Sequence, residues 1–162
     1  MFSWLPPSAI GAETMIKATL CYIVKNGRIL LIRKKQGFGA GKLNAPGGKI
    51  NDGESFEACV ARELKEEIGI TPLRPQLLAE IEFFNDNTLQ WHVYVFRSSS
   101  YTGSPKETAE AKPHWFDVDK IPYDEMWADD KIWLPLFLQG KSLKARFYFE
   151  NDWKDMVGYE ID

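Results

Sequence analysis

A chain of 162 residues with 44% hydrophobic residues is long enough for one domain with a sizeable core and too short for two ordinary ones. A net charge of −3 argues against a dedicated nucleic-acid binder, which would carry a basic stripe, and no apolar run approaches the roughly 18 residues of a membrane span. Cys21 and Cys59 lie in apolar periodic segments without metal-ligand or disulfide spacing, so a reducing, cytoplasmic setting is expected.

Residues 1–15 read as a flexible N-terminal extension, because Pro6-Pro7 discourages regular structure and the start lacks the features of a signal peptide. A single domain is expected over residues 16–162. Residues 19–24 and 28–33 are β-rich runs joined through Asn26-Gly27, a strong hairpin signal. A glycine-rich loop follows from Gly37 to Lys42, and then Asn44 and Ala45-Pro46-Gly47-Gly48. The loop fails as a Walker motif, since Gln36 replaces a required glycine and Leu43 stands where a magnesium-binding Ser or Thr belongs. It fails as a dinucleotide fingerprint too, whose last glycine would fall on Lys42.

The next segment is an amphipathic helix. Phe56, Val60 and Leu64 recur every four positions with Cys59 beside them, which gives the helix a core face. Gly69 is placed to end it in a left-handed conformation. Glu63, Glu66 and Glu67 fall within one turn, where like charges three and four apart cost a few tenths of a kcal/mol per pair. A solvated acidic face is one explanation; a hard divalent cation seeking carboxylate oxygen is the other. Arg62 stands at i,i+4 spacing from Glu66 and can pair with it.

Residues 78–84 and 91–97 read as a second strand pair across Asn85-Asp86-Asn87, and residues 115–118 as a short strand. A helical piece over 130–139 should kink or begin late because of Pro135, and strands near 145–149 and 156–159 close the chain. Mixed strands with two helices suit an α+β layered architecture. Taken alone, Asp130 reads as a helix N-cap, Asp129 as its solvated neighbour, Trp127 and Phe83 as core, and Glu110 as an exposed acid.

The spacing of Gly48, Glu54, Arg62-Glu63-Leu64, Glu66-Glu67 and Gly69-Ile70 resembles, at every defined position, the Nudix box G-x5-E-x7-R-E-U-x-E-E-x-G-U, where U is a bulky aliphatic residue. Nine constrained positions in register are a specific signal. The resemblance implies the Nudix fold, an α/β/α sandwich of the α+β class, with the box as loop–helix–loop. It also implies a Mg²⁺-dependent pyrophosphohydrolase, with Mn²⁺ as a substitute, cleaving a nucleoside diphosphate linked to a further group. In that resemblance Gly47, Glu63, Glu66, Glu67 and Glu110 form the metal site. One of Glu67, Glu66 and Glu110 takes the proton of the attacking water, and Glu54 pairs with Arg62 to hold the loop against the helix.

Outside the box, residues 34–44, 115–122 and 126–130 resemble one branch of that family, the oxidised purine nucleoside triphosphatases (8-oxo-dGTP diphosphatases). This likeness implies a base pocket of Thr19, Phe38, Asn44, Phe83, Trp127, Asp129 and Asp130, with Lys34 meeting phosphate as a point charge. Stacking on an aromatic platform is worth about 1–3 kcal/mol per base. Adjacent carboxylates sharing one proton offer both a donor and an acceptor to a purine edge. There are two departures: Ala45-Pro46 replaces a bulkier pair, and Trp91 takes the place of a pocket methionine, reshaping the base site. The expected reaction is hydrolysis of a purine triphosphate such as 8-oxo-dGTP or 2-hydroxy-dATP to monophosphate and pyrophosphate, by a cytoplasmic monomer whose partner is a small-molecule nucleotide. A dinucleoside polyphosphate, nucleotide sugar or pyrimidine triphosphate fits the box equally. A non-catalytic nucleotide-binding module would be expected to lose the acidic cluster, which is filled here.

Overall fold

The computed structural model describes residues 15–162, so the expected N-terminal extension lies outside the described residues except for Met15. In chain order the elements are β1 (Ile16–Lys25), β2 (Arg28–Lys34), β3 (Leu43–Asn44), β4 (Gly47–Lys49), α1 (Phe56–Ile68), β5 (Thr71–Pro72), β6 (Gln76–Asn85), β7 (Thr88–Ser98), β8 (Tyr101–Thr102) and β9 (Ala111–Asp117). A 3-10 turn at Tyr123–Glu125 then precedes α2 (Asp130–Leu138), β10 (Leu143–Glu150) and β11 (Asp155–Ile161).

Both expected hairpins are present. Asn26 and Gly27 turn at φ 53° and 73°, and Asp86 and Asn87 at φ 50° and 63°, the left-handed pairs that match the twist of two-residue hairpin loops. The main sheet runs β11-β10-β6-β7-β1-β2-β3, with β4 added to β1 and β9 to β2. It is mixed: β1 runs parallel to β7 and β10 parallel to β6. A separate ribbon pairs β5 with β8.

Strand alternation gives the sheet two apolar faces. Cys21, Ile23, Leu30, Ile32 and Phe96 pack under Val60, Leu64 and Ile68 of α1. Tyr22, Ile29, Leu31, Ile81 and Val95 pack in the cluster that holds Trp133, Leu134 and Phe137 of α2. The sheet therefore lies between the helices, the expected α/β/α sandwich. No helix among the described residues is long and apolar enough to cross a membrane.

Two local expectations change. Helix α2 begins on Asp130, not late, and carries Pro135 inside it. The carbonyl that Pro135 leaves without a donor belongs to exposed Lys131, where water can serve. Strand β9 begins at Ala111 rather than 115, and includes Pro113 opposite Ile32. Since β9 pairs with β2 alone, Pro113 lies on an edge strand, where a missing N–H is tolerated.

Candidate active site

Helix α1 is set by its ends. The Ser55 hydroxyl accepts the Ala58 N–H at 3.1 Å, and Gly69 closes the helix at φ 76° with its N–H on the Lys65 carbonyl. One turn then turns Glu63 and Glu67 inward, each 1% exposed, and leaves Glu66 outward. The solvated-face explanation thus holds for Glu66 alone.

Arg62 organises the outer half of the site. Its guanidinium grips Glu54 with two bonds of 2.8 and 2.9 Å, donates to Glu63 at 2.7 Å and reaches the Lys49 carbonyl at 3.1 Å. The Glu54 pairing is as expected, and the i,i+4 contact with Glu66 is the longer one at 3.6 Å. Arg62 holds the Glu54 carboxyl down at about 2.

The inner half centres on Glu67, whose Oε1 accepts the Gly47 N–H at 2.8 Å. A Cβ at residue 47 would stand 2.0 Å from the Thr19 carbonyl oxygen, so only glycine lets β4 lie this close to β1. Burial pushes the Glu67 carboxyl up to about 8 against the pull of that N–H, and raises Glu63 as well. Burial also lowers the Lys34 ammonium to about 8, while Glu67, Glu63 and Glu110 oppose the shift, so Lys34 lies in the field of all three. The Lys34 Nζ donates to the Phe38 carbonyl at 2.7 Å, tying the glycine loop to the acidic cluster.

Glu110 reaches the cluster through its loop. The Thr108 hydroxyl donates to the Glu67 carbonyl at 2.7 Å and the Lys106 N–H to the Ile68 carbonyl at 3.0 Å, locking the loop onto the end of α1. The Glu110 Oε2 is buried with no hydrogen-bond partner. Buried carboxylates with an orphaned oxygen among them have the composition that a hard cation needs. Among the described residues, however, no three acidic side chains converge on a common point; Glu67 and Glu63 instead hold the Gly47 N–H and Arg62.

On the α2 side of the sheet lies a pocket whose walls include Phe38, Asn44, Phe83, Trp91, Trp127, Asp129 and Asp130. Phe38 stacks on Trp127 at 5.2 Å and on Trp91 at 6.4 Å between ring centroids. Phe83 and Trp91 are cross-strand partners on β6 and β7. The Asn44 Oδ1 accepts the Ala45 N–H at 2.8 Å, which leaves its amide nitrogen as the group offered to a ligand. Neither the cap nor the solvated-neighbour explanation fits the acidic pair. Asp129 and Asp130 are each 3% exposed, Asp129 accepts the Trp133 indole N–H at 2.9 Å, and the Asp130 Oδ2 is buried without a partner. Burial raises Asp129 to about 6 and Asp130 well above its ordinary range, Asp129's charge adding to the second shift.

Thr19 is not in this pocket. Its hydroxyl lies 3.1 Å from the Cys59 sulfur, under α1, because successive residues of β1 face opposite sides. Ala18 and Leu20 line the pocket in its place. Sequence reasoning also missed Phe149 and Trp153, both on the pocket wall.

The family model for the NUDIX domain matches residues 15–137. Among curated proteins, the chain is 47% identical over 133 residues to an oxidized purine nucleoside triphosphate hydrolase of Danio rerio, covering 82% of this chain and 85% of that one. It is 38% identical over 144 residues to the protein of the same name from Mus musculus, covering 88% and 92%. Among solved structures, the mutator MutT protein of Bacillus halodurans superposes with a TM-score of 0.79 at 28% identity, over 91% of this chain and 98% of that one. Enzymes of this kind generally act with a divalent metal ion. A matched domain that spans most of the chain, with the box helix in place on one face of the sheet, settles the lineage: this protein belongs to the Nudix hydrolase family.

Proposed function

We propose that the chain hydrolyses purine nucleoside triphosphates, oxidised ones such as 8-oxo-dGTP or 2-hydroxy-dATP among them, to the monophosphate and pyrophosphate with Mg²⁺. The observation that carries this reading is the Asp129–Asp130 pair, buried together in an aromatic pocket beside Trp127. Two coupled carboxyls driven toward sharing a proton present one donor and several acceptors, the complement of a purine edge. The names of the animal relatives support the same substrate class.

Base and phosphates are handled by different parts of the chain. Phe38 and Trp127 supply the stacking surface, and Asn44 a donor, on the α2 side. The loop from Lys34 to Gly47 leads from that pocket to the acidic helix, with Lys34 placed as a point charge for phosphate. Glu63 and Glu67, with Glu66, Glu110 and the Gly47 carbonyl, are the groups that would hold the ion. A divalent ion bound there supplies polarised phosphate oxygens and a water acidic enough to attack near neutral pH. Glu67, Glu66 and Glu110 are the candidates to take the remaining proton, and Arg62 keeps the helix and loop in register. Removing an oxidised triphosphate as its monophosphate would keep it from serving as a polymerase substrate, the role of a nucleotide-pool sanitiser in the cytoplasm, and the chain would work as a monomer.

The test is a release assay for pyrophosphate and monophosphate over 8-oxo-dGTP, 2-hydroxy-dATP, dGTP, a pyrimidine triphosphate, a dinucleoside polyphosphate and a nucleotide sugar. The highest kcat/KM is expected on a purine triphosphate; a preference for any of the last three overturns the reading.

A further inference from the structure

Strands β10 and β11 are joined by a turn in which Asn151, Asp152 and Trp153 all adopt left-handed backbone, at φ 57°, 53° and 68°. Non-glycine residues avoid that region, and a bulky one such as tryptophan does so strongly. The conformation is held from the neighbouring hairpin. The Trp153 N–H donates to the Oδ1 of buried Asn85 at 3.1 Å, and the Asp86 N–H to the Phe149 carbonyl at 2.9 Å.

The outcome is that the Trp153 indole enters the pocket wall, 6% exposed. It completes a closed circuit of four rings. Phe38–Trp127, Trp127–Phe149, Phe149–Trp153 and Trp153–Phe38 are separated by 5.2, 6.5, 5.3 and 6.0 Å between centroids. The Trp153 Nε1 is buried and has no hydrogen-bond partner.

One residue thus carries two unfavourable features at once, a left-handed bulky backbone and an orphaned buried donor. A phenylalanine would fill the wall without the second. An indole N–H can only donate, so the missing partner is an acceptor. Strained backbone and unsatisfied polar groups concentrate where a ligand completes the site. We propose that Trp153 is a substrate-binding residue of the base pocket, and that its indole N–H donates to an acceptor atom of the bound purine nucleotide. The turn at 151–153 is pinned by Asn85, so a nucleotide would reach this buried donor by shifting the Phe38 and Phe149 rings packed around it. This inference rests on the purine triphosphate reading above.

The experiment compares the full-length wild type with W153F, which keeps an aromatic ring and removes the donor, on the best purine triphosphate at saturating Mg²⁺. Loss of one neutral hydrogen bond to substrate predicts KM raised about five- to tenfold with kcat little changed. A W153F protein with the wild-type KM overturns the assignment while leaving the purine reading standing. A wild type that hydrolyses no purine triphosphate overturns both. If W153F does not fold, judged by its circular dichroism, the wild type decides the matter. With ¹⁵N-labelled indoles, the Trp153 Nε1–H resonance is expected to move downfield when the nucleoside monophosphate product is added at saturation, and an unmoved resonance overturns the proposal.

Discussion

The Oε1 of Glu67 accepts the Gly47 N–H at 2.8 Å, so a fully buried carboxylate of the acidic helix is gripped by the backbone of β4. A glutamine at the same place keeps an oxygen for that N–H and loses the ability to ionise. Glu67→Gln should therefore fold with a melting temperature close to wild type while kcat falls by about 100-fold or more, the usual scale for losing a general base. Pyrophosphate release and thermal melting check the two halves. A mutant turning over near the wild-type rate removes Glu67 from the reaction.

Gly47 gives a steric test of the same contact. An added Cβ would lie 2.0 Å from the Thr19 carbonyl oxygen and 2.8 Å from the Leu20 Cα, both backbone atoms of β1. Overpacking against side chains costs about 1–3 kcal/mol. Backbone yields less, so Gly47→Ala should cost at least the upper end of that range in urea unfolding. It should displace β4 and the N–H that holds Glu67, so activity in the surviving folded fraction should drop as well. Wild-type stability in this mutant would contradict the pairing of Thr19 with Gly48 beside it.

Arg62 is predicted to be irreplaceable by lysine. Its fork makes two bonds to Glu54 and reaches Glu63 and the Lys49 carbonyl, and a lysine ammonium has no planar fork. Arg62→Lys leaves the Glu63 carboxylate, 1% exposed, without its bond at 2.7 Å. A loss of roughly 2–4 kcal/mol in urea unfolding is expected, at the lower side of what breaking a buried pair costs because Arg62 itself is partly exposed. Arg146 on Glu82, 54% exposed, is the control, and its replacement by lysine should leave the urea midpoint close to wild type. The pH dependence has a definite sign. Glu54 is held at about 2 from an ordinary 4.5, so its contribution is complete above 4.5 and disappears as the pH falls toward 2. The stability gap between wild type and Arg62→Lys should narrow over that acid range.

The box was legible because its information is local. Residues three and four apart on one helix have their relation set by helix geometry, so the gathering of Glu63, Glu66 and Glu67 in one turn follows from spacing. The Glu54–Arg62 pairing, by contrast, was implied by the family resemblance, and the inward turn of Glu63 and Glu67 needed the packed helix. Thr19 shows where a likeness outran local physics. Strand alternation puts Ala18, Leu20 and Tyr22 on the α2 side of β1, and Thr19 necessarily on the other. Trp153 had no signal to find. Asn151-Asp152 marks a turn, but nothing in the pattern announces that the left-handed backbone extends to Trp153 or that the sequence-distant Asn85 pins it. The early start of β9 was hidden by Pro113, whose tolerance depends on the edge position that only the assembled sheet defines.

The acidic pair in the base pocket makes a prediction opposite in sign to that for Glu54. Burial raises Asp129 from 3.8 to about 6 and Asp130 well above its ordinary range, so the folded chain holds protons that the unfolded chain releases. The stability linked to those protons is complete below the ordinary carboxyl value of 3.8 and is lost as the pH rises through about 6 and beyond. Asp130→Asn is nearly isosteric and cannot ionise. Unfolding free energies of the nucleotide-free protein, measured between about pH 4 and pH 8, should fall with pH more steeply for wild type than for Asp130→Asn. Glu67 shifts in the same direction, but it is common to both proteins, so the difference between the two curves isolates Asp130 and its effect on Asp129. The amide can donate as the protonated acid did, yet it cannot exchange donor for acceptor. The mutant should accordingly retain one class of purine edge and lose tolerance for another, read as a changed ratio of kcat/KM between 8-oxo-dGTP and 2-hydroxy-dATP. Parallel stability curves together with an unchanged ratio would show that Asp130 carries no proton the function uses.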